Sequence, residues 1–414
     1  MFYVCGANQK QKHAHMSTEV ITSTILRKMS EMNKWQRDFF LHHVVLFLSL
    51  RGRYTYSNFG RYGEKNEVTY RNHHASGFDF QSFNHYLILG HTSTHRMIAF
   101  DPSYVSKSGK HTPGVGYFWS GCAGKAKWGL EVCGFAAIDL EANTALHYFA
   151  KQTVLKDGQG LMNFYCDLLK EKATELLKIS KYIAVDAYFS KKTFVSMAVD
   201  NGLHVITRMR DDAVLHYAPP PRKEGQRGAP KKMGDRFWAK KLESGLLPCL
   251  SQTEDQRIYG GTAYVKSLGR LVKVAIVHEL KEDGQIKSAK VFICTDLTFD
   301  PRDILTWYKS RFQIEFLFRD AKQHTGLEDT QSRKKEALEY HFNMSLTAVS
   351  IAKAAHFLSI KKEERGPFSM ADIKTQYFNE LFVGRIFDVF GKFPNITKNH
   401  PALKNIYNLG KIAA

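Results

Sequence analysis

Apolar positions along the chain change their period several times, and the changes divide it into regions. Residues 34–50 place apolar side chains near helical spacing, and residues 1–90 as a whole predict helices. From residue 86 the pattern shortens. Tyr86-Leu87-Ile88-Leu89-Gly90 and Met97-Ile98-Ala99-Phe100 have the length and composition of short buried strands, and strand-like runs follow at 115–120, 130–140 and 144–151. A helical run over 160–179 precedes strands at 182–186 and 203–208. The stretch APPPRKEGQRGAPKKMGDR, residues 218–236, continues neither period, because its prolines and glycines break both helix and strand. Residues 255–296 predict antiparallel strands, with Val272, Val274 and Ile276 alternating and a turn at Glu282-Asp283-Gly284. Helical periodicity returns near 301 and persists past 358, and the tail 367–414 is helical and aromatic-rich. No repeat of solenoid length is visible. The order predicts an α/β fold with a mixed sheet and an all-β piece inserted into it.

The chain has 414 residues, which predicts two or three domains at roughly 150 residues each. A hydrophobic fraction of 43% and a charged fraction of 24% exclude a wholly disordered or fibrous chain. The 59 Lys+Arg against 40 Asp+Glu give a net charge of +19, which favours a polyanionic partner: nucleic acid or an anionic membrane surface. The longest apolar run, Phe39–Leu50, is 12 residues with two histidines, short of the roughly 20 needed to cross a bilayer. No strongly amphipathic basic helix stands out either, so no membrane partner is expected. The opening MFYVCGANQKQKH lacks a signal-peptide layout. The six cysteines, Cys5, Cys122, Cys133, Cys166, Cys249 and Cys294, are scattered without a C-x-x-C, which argues for reduced thiols and a cytoplasmic protein.

Charge is also distributed unevenly. Residues 1–90 hold 11 Lys/Arg against 6 Asp/Glu. Residues 51–74 interleave five basic residues with Tyr54, Tyr56, Phe59, Tyr62 and Tyr70, a composition suited to phosphate contact and base stacking or, more blandly, to a basic face over a small helical core. The 222–236 loop is basic as well.

Two segments rhyme: Ile98-Ala99-Phe100-Asp101 and Ile183-Ala184-Val185-Asp186. Each is a short apolar strand that ends on a carboxylate. On adjacent strands the two would repel unless a cation lay between them, and hard oxygen ligands favour Mg²⁺ or Mn²⁺. Strand-end Asp residues also serve as turn and helix caps. The segment 304–322, ILTWYKSRFQIEFLFRDAK, is more specific. On one helix at about 100° per residue, Tyr308, Arg311, Glu315, Arg319 and Lys322 share an arc of roughly 80°, opposite a core stripe of Trp307, Ile314, Leu317, Phe318 and Ala321. Such a stripe is either a solvated face laced with i,i+4 pairs or a metal ligand flanked by phosphate-binding cations.

The spacing Tyr308-x2-Arg311-x3-Glu315-x6-Lys322 resembles the Y-x2-R-x3-E-x6-K signature of bacterial insertion-sequence transposases of the insertion-sequence-four type, which are DDE transposases with a ribonuclease H-like core. IAFDPSYVSKSGKHT and IAVDAYFSKKTF resemble the first-Asp and second-Asp regions of that family, and KWQRDFF with SLRGRYTYSNFGRYG resembles its helical N-terminal domain. The resemblance covers about residues 30–360 and does not reach the tail.

It implies a ribonuclease H-like mixed sheet with a β-rich insertion, divided as a helical DNA-binding domain (1–90), the first part of the core (91–216), a basic loop and β-rich insertion (217–296), the second part of the core (297–360) and a helical C-terminal region (361–414). It implies Asp101, Asp186 and Glu315 as catalytic residues and ligands of two Mg²⁺, with Mn²⁺ as a substitute. Tyr308, Arg311, Arg319, Lys322, Lys107 and Lys110 would contact DNA, either transposon terminal inverted repeats or target, and a homodimer would join two ends. His111 is more simply a loop residue and Trp238 a packing residue, although a tryptophan in the insertion could stack on an extruded base. A ribonuclease H-like nuclease that cuts without rejoining, and a non-catalytic basic DNA-binding protein, are the rival readings.

Overall fold

A computed structural model describes residues 12–222, 227–242, 245–360, 362–390 and 401–411. Cys5, the start of the chain and residues 223–226 of the basic loop lie outside these described residues.

Five helices open the fold: α1 (Lys12–Lys28), α2 (Lys34–Ser49), α3 (Tyr56–Tyr62), α4 (Glu67–Ser76) and α5 (Phe80–His91). Four begin on side chains that accept a hydrogen bond from the first turn: Asn33, Thr55, Asn66 and Asp79, with Gln36 returning the bond to Asn33. The helices close over a core of Phe40, Phe47, Phe59, Tyr70 and Phe83. This corrects two expectations. Residues 86–90, expected as a strand, form the last turns of α5, because Phe80, Phe83 and Leu87 repeat at helical spacing on its buried side. In the basic–aromatic stretch 51–74, Tyr54, Phe59 and Tyr70 are buried packing residues and cannot stack on a base.

A single sheet follows. Strands β1 (Arg96–Ser106), β2 (Gly116–Ser120), β3 (Lys125–Asp139) and β4 (Thr144–Gln152) are antiparallel neighbours around β3. Helix α6 (Leu161–Leu177) leads to β5 (Tyr182–Ala184), and α7 (Lys192–Asp200) leads to β6 (His204–Arg208). These two strands are parallel to β1 and to each other, as expected of strands joined by helical crossovers. Strands β7 (Leu215–Tyr217), β8 (Arg236–Phe237), β9 (Cys249–Gln252), β10 (Gln256–Val265), β11 (Arg270–Leu280) and β12 (Ile286–Cys294) supply the β-rich region. It is not a separate piece: β12 pairs with β6, so the order runs β2-β3-β1-β5-β6-β12-β11-β10-β7-β8 in one mixed 12-stranded sheet, with β4 beside β3 and β9 beside β10.

The chain then returns as helices α8 (Pro301–Ser310), α9 (Gln313–His324), α10 (Lys335–Ser359), α11 (Met370–Phe390) and α12 (Pro401–Asn408). Helix α10 is buried nearly all round, enclosing apolar Leu338, Phe342, Leu346 and Val349 and polar His341, Asn343, Thr347 and Ser350 alike. Its polar residues close the open edge of β4. Asn343 accepts from the Ala150 amide (2.9 Å) and donates to the Ala150 carbonyl (2.8 Å), and Ser350 Oγ accepts from the His147 amide (2.7 Å). Side chains thus take the place of a further strand.

Buried hydrogen bonds fasten the tail to the N-terminal helices, Tyr377 of α11 to Thr18 of α1 among them. Lys374 of α11 donates to the Phe47 and Leu50 carbonyls at the end of α2 (2.9 and 2.6 Å) and bonds the Tyr54 hydroxyl. Tyr54 in turn donates to the His324 carbonyl at the end of α9 (2.7 Å). Its ring rests on Gly326, which has φ +66° and where a Cβ would lie 2.2 Å from the ring. We therefore expect Gly326→Ala to destabilise the protein by about 2–4 kcal/mol, from overpacking plus left-handed strain. Urea unfolding measures this, and an unchanged midpoint would show that the ring can retreat without cost.

Candidate active site

Strand pairing brings the two aspartates level. The β1–β5 register sets Ile98 against Ile183 and Ala99 against Ala184, an offset of 85, and Asp101 and Asp186 are separated by the same 85 positions. Asp186 lies just past the end of β5, where its carboxylate accepts the Tyr188 amide (3.0 Å) and caps a single turn, Ala187–Phe189. Thr207 on β6 donates to the Asp186 carbonyl (2.9 Å) and holds that turn. Asp186 stands at the carboxyl end of β5, where α/β sheets usually open their binding crevices, whereas Asp101, expected at a strand end, lies mid-strand because β1 runs on to Ser106 along β3, just past its short parallel pairing with β5.

Glu315 arrives from α9. Ile314, Leu317, Phe318 and Ala321 bury one side of this helix, and α9 packs on β1, β3 and β4. The approach is close because Gly134, the β3 residue paired with Asp101, has no side chain: a Cβ there would lie 2.6 Å from the Phe318 ring.

The expected continuous helix over 304–322 is instead two helices, α8 and α9, with Arg311 and Phe312 in the turn between them. Tight i→i+3 bonds, Arg311 N–H to Tyr308 O and Glu315 N–H to Phe312 O, carry the chain round. The break turns Arg311 inward. Only 8% exposed, it donates to Glu315 (2.8 Å) and lies 3.9 Å from Asp101, while its guanidinium sits 5.7 Å from the Tyr308 ring. Arg311 Nε and Nη1 are buried without a hydrogen-bond partner. The solvated-face reading of this stripe therefore does not apply to Arg311.

Electrostatics follow from this crowding. Burial pushes Asp101 up to about 7; Arg311 pulls it down, and Asp186, Glu315 and Glu131 push it up again. Burial likewise raises Asp186, and Arg311 opposes the rise. Burial alone would weaken the hold of Arg311 on its proton, but Asp101 and Glu315 more than reverse it. Glu131 was not singled out from sequence. It is buried on β3, accepts from Tyr165 (2.7 Å) and Thr153 (2.8 Å), and is raised by that burial. An acid inside the apolar run of β3 was the available signal.

The other expected contacts are dispersed. Lys322 donates to the Tyr104 carbonyl (2.6 Å) and lies 3.5 Å from Glu328. Lys107 donates to the Thr330 and Ser332 carbonyls (2.7 and 2.9 Å) and ties the β1 end to the α9–α10 loop. Arg319 lies over the Phe316 ring at 4.7 Å and beside Asp320. Lys110 and His111 are exposed on a cavity of about 660 Å³ that Arg53 and Arg333 also line. Trp238 is exposed, with the Arg236 guanidinium 4.1 Å from its ring, so it is not a core packing residue. The five described cysteines are unpaired.

Three hard carboxylates, one of them raised to about 7 chiefly by burial, are a donor set suited to a divalent cation. Among the described residues no three acidic, histidine or cysteine groups yet converge closely enough to hold one. In this arrangement Arg311 supplies the positive charge.

Residues 163–351, somewhat under half of the chain, match the family model described as a transposase DDE domain. The chain contains a transposase DDE domain. The matched span includes Asp186 and Glu315 but not Asp101, which joins them through β1. A solved structure, the cryo-EM structure of a piggyBac transposase synaptic complex with hairpin DNA, is 13% identical, covers 98% of this chain and 78% of that chain, and has a TM-score of 0.38, too low to carry an argument. No curated protein matches.

The raised Asp101 has a thermodynamic consequence. A carboxyl whose pKa is higher folded than unfolded disfavours the fold once it ionises, so its penalty is absent near pH 4 and grows until the pH passes about 7. Asp101→Asn removes that penalty. In metal-free buffer the variant should melt higher than the parent at pH 8, with the gap closing as pH falls to 4; a gap independent of pH would contradict this account.

Proposed function

We propose that this protein is a DNA transposase of the insertion-sequence-four type, which binds transposon ends, cuts them and joins them to target DNA. The observation that carries the reading is Arg311 bonded to Glu315 and 3.9 Å from Asp101, with Asp186 level with Asp101 just past the neighbouring strand, Asp186 and Glu315 lying inside the matched transposase DDE span. The half-sheet β4-β3-β1-β5-β6, with three antiparallel strands followed by two parallel ones, supports a ribonuclease H-like core.

In this reading Asp101, Asp186 and Glu315 hold two divalent cations, Mg²⁺ or Mn²⁺. Such cations lower the pKa of an attacking water or 3′-hydroxyl and neutralise the leaving oxygen. The protein's own groups position the DNA. Arg311 is a planar fork matched to a phosphate, and a phosphate entering the site competes with Asp101 and Glu315 for it. Tyr308, beside Arg311, hydrogen-bonds a terminal phosphate. Lys110 takes backbone phosphates at the cavity it lines with Lys107, Arg53 and Arg333, and Arg319 and Lys322 do so from α9. Two ends brought together require two copies, so the working form is a homodimer in a synaptic complex. The setting is the bacterial cytoplasm, on the nucleoid when DNA is bound.

Cleavage of labelled DNA carrying the element's own terminal repeat tests the chemistry. Glu315→Gln removes a charge and little volume; binding should persist while cleavage in Mg²⁺ or Mn²⁺ falls by about 100-fold or more, since Glu315 would be one of the three carboxylates that hold the cations. A near-parental rate would falsify the triad. Joined products separate a transposase from a nuclease that only cuts.

Salt dependence tests the phosphate contacts. If binding is dominated by them, log K falls by about 0.9 per neutralised phosphate for each unit of log salt. Arg311→Ala should flatten this slope by about one phosphate, and an affinity indifferent to salt would exclude the basic-surface reading.

A further inference from the structure

The hairpin formed by β2 and β3 carries an aromatic face that nothing in the described fold covers. Strand alternation and the register Tyr117↔Trp128 and Trp119↔Ala126 put Tyr117, Trp119 and Trp128 on one side, with Phe118, Ser120, Lys125 and Lys127 on the other. Tyr117 is 71% exposed, Trp119 66% and Trp128 39%. Tyr117 and Trp128 meet edge to face with centroids 5.3 Å apart.

This face is held rigidly. Trp128 donates its indole N–H to the Gly109 carbonyl (2.9 Å), and Tyr104 donates its hydroxyl to the Trp128 carbonyl (2.7 Å). At Gly129 a Cβ would lie 2.6 Å from the Tyr104 ring, so the base of the hairpin is packed tightly against β1. The same indole bond ties the aromatic face to the loop that carries Lys110 and His111. From Pro102 to Leu130 the chain has no acidic residue; Lys110 and His111 lie in the loop tied to the aromatic face, while Lys125 and Lys127 point from the opposite side of the hairpin.

Rigid, solvent-facing rings beside cations and without anions match one occupant: nucleic acid with unpaired bases. Duplex bases are stacked on each other and offer no face to a protein ring, whereas unpaired bases stack on aromatics with little regard to sequence. Resting on the proposed transposase reading, we propose that the β2–β3 hairpin is a stacking platform for unpaired DNA bases, with the Lys110 loop at its foot holding the adjoining phosphates. Strand β1 pairs with the base of the hairpin at Ser106↔Gly129 and carries Asp101 five residues earlier, opposite Gly134 of β3. A self-association surface of this chain would set like charges against one another across two copies, which disfavours that occupant.

The test compares a short single-stranded oligodeoxynucleotide with its blunt duplex, by fluorescence anisotropy at fixed salt, on the full-length protein. Trp119→Ala should weaken single-strand binding about tenfold and leave duplex binding unchanged, and Trp119→Phe should restore most of the loss, because stacking needs a ring and not an indole. Trp119 is exposed, so the fold is not at risk; circular dichroism checks it. Duplex binding with no selective loss in Trp119→Ala overturns the platform and leaves the transposase reading standing. Failure of the parent protein to bind either DNA overturns both. A sedimentation coefficient that falls in Trp119→Ala without DNA overturns the platform in favour of an interface between copies.

Discussion

Phe318 lies against the backbone of β3 at Gly134, and the position of the candidate site depends on that contact. Any larger residue at Gly134 would hold the ring, and helix α9 with it, farther from the sheet. Because Gly134 is the register partner of Asp101, the contact fixes α9 at the level where the first carboxylate stands. Glu315, one turn earlier on the same helix, is thereby carried to Asp101, and the turn that precedes it delivers Arg311 between them. Close packing of an apolar ring is non-directional in energy but exacting in distance, and here it sets the spacing of charged groups that would otherwise repel.

The electrostatics explain why the cluster needs its cation. Burial above all, with smaller pushes from Asp186, Glu315 and Glu131, moves Asp101 toward neutrality, and Arg311 offsets part of that push. Removing Arg311 would leave the acids uncompensated; removing an acid leaves a buried guanidinium with fewer partners. Glu131, satisfied by Tyr165 and Thr153, adds a fixed negative charge behind the site without entering it. Such an arrangement is poised to exchange one positive partner for another.

The remainder of the fold makes this geometry rigid from behind. Tyr54 and Lys374 join the end of α2, the end of α9 and the tail helix in one buried hydrogen-bonded group, so the N-terminal helices and the C-terminal region brace the same helix that carries Glu315. Helix α10 closes the β4 edge with Asn343 and Ser350. Aromatic residues divide by role: those in the N-terminal helices are interior, while those on the β2–β3 hairpin remain at the surface.

Local pattern determined much of this from sequence. The alternating and helical periods placed β2, β4, α6, β5 and β6 within a few residues and marked 255–296 as antiparallel strands, and of the two rhyming aspartates Asp186 does emerge at a strand end whereas Asp101 lies in the middle of β1, which runs on to Ser106. Residue types at fixed spacing singled out Tyr308, Arg311, Glu315 and Lys322. What sequence could not determine was where the chain deviates from regular geometry or which long-range partner a group would choose. A run such as Tyr86–Gly90 is apolar enough for strand or helix, and the core beneath α5 decided it. The break at Arg311 arises because two helices must pack on different parts of the sheet, which no local periodicity encodes. Lys107 and Lys322 look like surface cations in one dimension, and only the folded backbone brought carbonyls within reach of them. Likewise the interleaved tyrosines of 51–74 and the bare rings of the β2–β3 hairpin have similar composition; burial, a property of tertiary contacts alone, separates a core from a binding face.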